Sequence, residues 1–405
     1  MKKLYYGWRI VIAGGAIEFL QGLLVTQAFG AYMAVLIDER GWSKTSLSGA
    51  AAMQSTESAL LGPLLGWMLD RFGAQGVVRA GVITLGLGFT ILSQIDTLVG
   101  FYIAFFVIAI GASLCGNVTV SVAIIHWFEK NRARALSAVQ FGRALGGMFF
   151  IVVAWSMQSF GWRATAFATG VIIVLLGWPL TNVIRNRPEN RSDALDGPAP
   201  NATGRSPSDT HRRREFTVRE ALRTSAFWLI CLGHGFALLV VTAVNVHAIT
   251  HMKQSLGYSI AQASFFIILM TAGQFCGVIL GWVLGERFDK RLVCVATMLM
   301  HASGLLMLTY ATGPTMLVMF ALLHGGAWGL RGPFMQAIRA DYFGRRSFGM
   351  ITGLSSLIIV IGQIGGPMLA GVFADWTGNY RAGFTVLAAL AGLGSFFFLF
   401  AKPPK

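Results

Sequence analysis

The chain has 405 residues, of which 55% are hydrophobic and only 12% charged, with a formal net charge of +15 and a mean hydropathy of +0.64. Soluble domains carry roughly 25% charged residues, so this composition excludes an ordinary soluble fold and calls for lipid as solvent. The positive balance is not a nucleic-acid footprint, because no basic stripe interleaved with aromatics accompanies it. The four cysteines, Cys115, Cys231, Cys276 and Cys294, all fall inside apolar segments without metal-type spacing, which leaves packing as their role and neither a metal nor a cofactor as an expectation.

A membrane-spanning helix needs about 20 mostly apolar residues. Twelve stretches qualify, at about 8–36, 44–69, 76–95, 98–126, 133–160, 163–184, 224–251, 258–285, 291–311, 314–338, 347–375 and 380–401. They are called spans 1 to 12 below. The first follows Met1-Lys2-Lys3 but runs well beyond the 7–15 apolar residues of a cleavable signal core, so it reads as a retained helix. Between spans 6 and 7 lies the one long polar stretch, 186–222, rich in Pro, Ser, Asn, Asp and Arg, expected to be a linker of low order. Its Arg212-Arg213-Arg214 is a possible contact for anionic headgroups. The expected domains are therefore an N-terminal six-helix bundle (1–185), the linker (186–222) and a C-terminal six-helix bundle (223–405), an all-α membrane fold. With the amino terminus inside, 25 of the 32 Lys and Arg fall on inner loops and ends, five fall outside (Arg40, Lys44, Arg163, Lys253, Arg381) and two lie at mid-membrane. The positive-inside rule then places both termini and the linker in the cytoplasm, where Asn201-Ala202-Thr203 would escape glycosylation.

The two halves repeat each other. Gly66-Trp67-Met68-Leu69-Asp70-Arg71-Phe72 returns as Gly281-Trp282-Val283-Leu284 and Glu286-Arg287-Phe288. Trp127-Phe128 returns as Tyr342-Phe343, and Gly161-Trp162-Arg163 as Asn379-Tyr380-Arg381. A repeat of half a chain makes each unit a bundle in its own right, the organisation of a secondary transporter with its site between parallel repeats.

Gly66-x-x-x-Asp70-Arg71-x-Gly73, between spans 2 and 3, resembles the signature loop of the major facilitator superfamily, and its degenerate copy sits between spans 8 and 9. Tyr5-Tyr6-Gly7-Trp8-Arg9, Gly41-Trp42-Ser43, Ala226-Phe227-Trp228 and Ala340-Asp341-Tyr342-Phe343-Gly344 resemble the monocarboxylate-porter and oxalate/formate-antiporter branch. The resemblance implies a monomeric, multi-pass protein of the cell membrane, a bacterial inner membrane, that moves a small organic anion with a proton or against a counter-anion. One departure is plain: branch members often carry a cation on helices 8 and 11, where this chain has Gln274 and Gln363. Asp70 lies where its carboxylate can cap the start of span 3 or hold a partner helix in one conformational state, so Asp70 and Arg71 are assigned to gating.

The chemistry is expected in charges that lipid should exclude, since such residues face the bundle interior or a wet cavity and mark a pathway. Glu18, Glu57, Arg143 and Arg331 are the four. Arg331 lies ten residues, about 15 Å, above Asp341 at the inner end of span 10, close to the midplane of a core about 30 Å thick. His324 and Trp328 share its helical face, and Gly325, Gly326, Gly329, Gly332 and Pro333 are expected to invite a local break there. A guanidinium matches a carboxylate with two hydrogen bonds, which makes Arg331 the expected clamp for the anion; the competing reading is a structural pair with a carboxylate. Arg143 in span 5 lies at similar depth, and the resemblance implies that it pairs with Glu18 in span 1. An incoming carboxylate that takes Arg143 would then release Glu18 to accept a proton. Glu57, about 20 Å above Asp70, is the alternative proton carrier, nearer the outer face and open to water. Asn117, Gln274 and Gln363 are the neutral candidates for lining the cavity. Among the other span histidines, His126, His234, His247, His251 and His301, none has the spacing of a zinc enzyme.

The leading function is a proton-coupled or exchanging porter for a small organic anion. The alternative is an efflux porter for amphipathic compounds, whose adaptable pocket the abundant Phe and Met would line. A membrane enzyme lacks a nucleophile-base pair, phosphate loop or metal set, and a sensor lacks a soluble domain.

Overall fold

A computed structural model describes residues 5–26, 28, 32, 35, 36, 39, 40, 42, 44–186 and 215–404, less the side chains of 26, 44–52, 54–56, 58, 59, 151, 260 and 261. Residues 187–214, with Asn201 and the Arg212–Arg214 run, lie outside the described residues, as do Lys2, Lys3, Gly41 and Ser43. All regular structure among the described residues is helical. The chain divides into two compact units, Met1–Arg213 with Ser347–Gly353, and Arg214–Arg346 with Leu354–Lys405.

The first unit contains α1 (Tyr6–Gln21), continued by a π-helical turn at Gly22–Thr26, then α2 (Lys44–Leu92), α3 (Leu98–Leu114), α4 (Asn117–Trp127), α5 (Arg132–Met148), α6 (Ile151–Phe160) and α7 (Trp162–Val183). Spans 2 and 3 are the two arms of α2. The break is Gly73, whose φ of +76° no side-chain-bearing residue adopts readily. Asn186 caps the second arm, its Oδ1 accepting the Gln75 N–H at 2.8 Å. Span 4 is α3 and α4 in series, and span 5 is α5 and α6.

The second unit contains α8 (Val218–Leu222), α9 (Ser225–Leu256), α10 (Ile260–Leu284), α11 (Lys290–Thr309), α12 (Pro314–Phe343), most of α13 (Phe348–Thr377) and α14 (Arg381–Phe400). The last eight residues of the polar stretch are built into it. Phe216 is buried against Phe343, α8 carries a Thr217/Glu220 capping box, and Glu215 accepts the Arg345 and Arg346 N–H groups. Ten spans among the described residues are long and apolar enough to cross a membrane. Two differences from twelve account for this: one span, Leu60–Leu92 within α2, crosses Gly73 and so takes in parts of spans 2 and 3, and the charge-bearing α12 is not among the ten.

The internal repeat is made of equivalent contacts. Trp127 Nε1 donates to the Arg185 carbonyl just past α7 at 2.9 Å, and Tyr342 Oη donates to the Ala401 carbonyl just past α14 at 2.6 Å. Each aromatic thus ties the end of an earlier helix to the last helix of its own unit. Gly161 and Gly378, with φ of +79° and +75°, end the helices that precede those last ones. At the other end of the first unit, Arg40 and Arg163 each reach Asp96 at 2.7 Å, and the Arg40 hydrogen bond holds the Asp96 carboxyl below its ordinary value.

Candidate functional site

In the first unit, a backbone approach positions the charges. A Cβ on Gly142 would sit 2.0 Å from the Gly15 carbonyl oxygen, one on Gly146 2.1 Å from that of Phe19, and one on Gly22 2.2 Å from that of Arg143. Small residues on both faces let α1 and α5 touch main chain to main chain, as in membrane helix pairs generally. That contact brings Arg143 Nε to 2.5 Å from Glu18 Oε2. Arg143 Nη2 also donates to Gln21 Oε1 at 3.1 Å, and Gln21 Nε2 donates to the Ala112 carbonyl and to Cys115 Sγ, both at 3.3 Å. The Ala112 carbonyl is available because the chain breaks between α3 and α4, where the Gly116 N–H turns to Ser113 instead. Glu18 is fully buried, with Oε1 unpartnered among the described residues, whereas the Arg143 side chain keeps 35% of its exposure.

Glu57 finds a protein partner where water alone could have served. It is buried, and Ser113 Oγ donates to its Oε2 at 3.3 Å, because α3 packs over this part of α2. Asn117 is half-buried and accepts from Ser121 at 3.4 Å. Asp70 caps a helix start, but not that of span 3: its two oxygens accept the Gly349 and Met350 N–H groups of the first turn of α13 at 3.1 and 3.0 Å. Arg71 is exposed and lies over the Trp67 and Phe72 rings.

The second unit is built on the same device with the opposite electrostatic result. A Cβ on Gly325 would meet the Met270 carbonyl oxygen at 2.0 Å, one on Gly329 that of Gln274 at 1.9 Å, and one on Gly277 that of Gly326 at 2.2 Å. The expected local break is therefore corrected. α12 runs unbroken from Pro314 to Phe343 past Pro333, and its glycines seat it against α10. On the buried side of α12 lie His324, Arg331 and Arg339, and Trp328 is half-buried. Arg331 is 2% exposed, and neither its Nε nor its Nη1 has a hydrogen-bond partner among the described residues. No carboxylate pairs with it there. The nearest acid along the chain, Asp341, is paired to Lys290 at 2.8 Å. His301 Nδ1 and His324 Nδ1 are 3.2 Å apart, and Arg339 Nη2 donates to His234 Nδ1 at 2.9 Å. Arg331 lies within electrostatic range of His234, His301, His324, Cys294 and Arg339.

The sequence-chosen residues thus fall into two groups. Glu18 and Arg143 are brought together, and Arg331 and His324 share one buried face. Gln274 is half-buried and Gln363 exposed, with no hydrogen bond from either side chain to another described residue. Gln21, Ser113, Arg339 and the pairing of His301 went unforeseen. Gln21 had a usable signal, one turn beyond Glu18 on α1, but Arg339 was counted with the inner-end cations. Cys115, Cys231 and Cys294 are buried and Cys276 exposed, all four as free thiols.

Long apolar helices that bury ionisable groups define a polytopic membrane protein of the transporter class. The chain belongs to the Major Facilitator Superfamily, whose profile matches residues 19–283 and 230–405. It is 23% identical to monocarboxylate transporter 13 of Bos taurus over 98% of this chain and 91% of that protein. It is 25% identical to monocarboxylate transporter 4 of Gallus gallus over 99% and 85%. A solved variant of the Escherichia coli fucose:proton symporter FucP aligns at a TM-score of 0.74 and 14% identity, covering 97% of this chain and 98% of that one, a likeness of fold. These proteins are transporters, not enzymes.

Proposed function

We propose that this transporter carries a small organic anion, a monocarboxylate in the first instance, by alternating access, and that Arg331 is the group that holds it. The carrying observation is a fully buried guanidinium with no carboxylate beside it among the described residues. A charge taken out of water without a partner is strongly unfavourable, and an anionic ligand supplies the missing partner. The planar fork suits a carboxylate's two oxygens, and two similar relatives are named as monocarboxylate transporters. His324 and Trp328 flank the clamp, with Asn117, Gln274 and Gln363 as further lining. Glu18, already neutralised by Arg143, accepts a proton when a carboxylate displaces it from that arginine, which makes proton symport the leading mode and anion exchange the second; Glu57 is the reserve carrier. Asp70 and Arg71 serve the conformational change through the cap on α13. Both termini are placed in the cytoplasm by the basic inner loops, in a bacterial inner membrane, as a monomer.

The test is uptake of labelled lactate into proteoliposomes. Arg331→Gln should abolish saturable uptake while the protein stays monodisperse. Saturable transport of amphipathic cations that survives this substitution would instead favour the efflux reading.

A further inference from the structure

The six histidines among the described residues are of two kinds. His126 Nδ1, His247 Nε2 and His251 Nε2 face the carbonyls of Val122, Pro367 and Leu308 at 2.8, 3.0 and 3.1 Å. A carbonyl only accepts, so each of those nitrogens carries its ring's hydrogen. His234 Nδ1 faces a guanidinium that only donates, so it is the bare nitrogen of its ring. Four tautomers are thus fixed by groups that do not titrate.

His301 and His324 are different, because each meets another titratable nitrogen. With Nδ1 atoms 3.2 Å apart, one ring must donate and the other accept. In the neutral pair the donor ring therefore has a bare Nε2, and the acceptor ring carries its hydrogen on Nε2. Both rings are fully buried, and neither Nε2 has a partner among the described residues. A proton added to the bare Nε2 turns the donor ring into an imidazolium whose Nδ1–H···Nδ1 bond is charge-assisted, so the contact stabilises the charged form.

We propose that the His301–His324 pair is a proton acceptor loaded by anion binding at Arg331, a reading that rests on the proposed function. Arg331 lies seven residues or about 10 Å along α12 from His324, so its charge repels a second positive charge on the pair. The helices around the pair bring no acid to offset it. After Arg381, α14 has no ionisable side chain, and α10 has only the exposed Cys276. α9 sends His234 to Arg339 and His251 to Leu308, and α11 adds Cys294 near Arg331. With Arg331 unliganded, a proton would make two positive charges in one dry region. With its charge neutralised by an anion, one positive charge remains, no more than before. At an effective dielectric constant of about 20, removing a unit charge about 10 Å away strengthens proton affinity roughly tenfold. The sign is that of a histidine whose affinity is raised: anion affinity climbs as pH falls, and binding takes up a proton.

The experiment is calorimetric titration of detergent-purified full-length protein with lactate, sulfoacetate and glucose 6-phosphate, in phosphate and in Tris buffers, between pH 5.5 and 8. The buffer dependence of the heat gives protons taken up per anion bound. The expected result is that His301→Gln takes up about one proton fewer per anion than the wild type and that its affinity rises less toward low pH, while the histidine share of the uptake persists in Glu18→Gln. In parallel, 15N histidine spectra of the wild type should show one ring passing from neutral to imidazolium shifts on saturation, which needs no variant. Unchanged proton uptake in His301→Gln, or histidine shifts that stay neutral, overturns the pair as acceptor while leaving Arg331 as the clamp. Binding by Arg331→Gln at wild-type affinity, or no binding of any of the three anions by the wild type, overturns the clamp itself.

Discussion

The two units bury charge by the same means and finish with opposite balances. In each, glycines let two helices meet along their backbones, α1 with α5 and α10 with α12, and the contact fixes an arginine in an apolar setting. Arg143 is answered by Glu18 and Gln21, so its unit is locally neutral. Arg331 shares its buried helix face with His324 and Arg339, and no carboxylate pairs with it among the described residues. A compensated charge is stable by itself and changes only when something competes for one partner. An uncompensated one is incomplete until a ligand arrives. On the proposed function, the switchable pair belongs to one unit and the anion-holding cation to the other.

Substitutions can break that contrast from either side. The largest effect on stability should come from Glu18→Gln, which strips Arg143 of its counter-charge. Breaking a fully buried pair costs about 3–5 kcal/mol, and because Arg143 is partly exposed the expectation here is about 1–3 kcal/mol. Glu18→Gln/Arg143→Gln should recover most of it in a double-mutant cycle read by chemical denaturation. No recovery would mean that the two side chains act independently. Next comes Gly329→Ala, whose Cβ must push α12 from the Gln274 carbonyl, a loss of about 1–2 kcal/mol and a weakened anion response. Gly365→Ala, with open space around it, is the silent control.

Much of this plan can be read from the sequence. The spans, the half-chain repeat and the four mid-membrane charges follow from hydropathy, spacing and the expense of placing charge in lipid. The Glu18–Arg143 partnership was implied by family resemblance and is formed in the structure. What the sequence withholds is compensation. Whether an arginine has a partner depends on which faces meet across helices, and nothing in the order of residues around Arg331 tells that His301, from another helix, turns to His324. The glycines of α12 show the same limit: a glycine-rich run signals either a break or a close packing face, and only the carbonyls of α10 decide for the second. That Glu57 is buried with Ser113, and not satisfied by water alone, is likewise decided by a second helix, α3.

Asp70→Asn sharpens the comparison at lower amplitude. It keeps one oxygen, so one of the Gly349 and Met350 amides loses its acceptor, and it removes the charge that favours a helix start, about 1 kcal/mol in all. Transport rate in proteoliposomes should fall by more than stability does, and an unchanged rate would remove Asp70 from gating. The smallest effect belongs to Asp96, which is exposed. Its lowered carboxyl value means that the Arg40 contact contributes fully above the ordinary carboxylate value of about 4 and fades as pH falls through the lowered one. Asp96→Asn should flatten only the acid limb of the melting-temperature profile, and high salt should do the same to the wild type.

The central claim is that Arg331 is a buried cation awaiting an anion. The most direct measurement is the melting temperature of purified wild type and Arg331→Gln, each with and without saturating lactate, since a ligand that binds the folded state raises its apparent stability. The account predicts that the unliganded variant melts at or above the wild type, because an uncompensated charge has been removed, and that lactate raises the wild type alone. A variant that melts lower and still responds to lactate would contradict it.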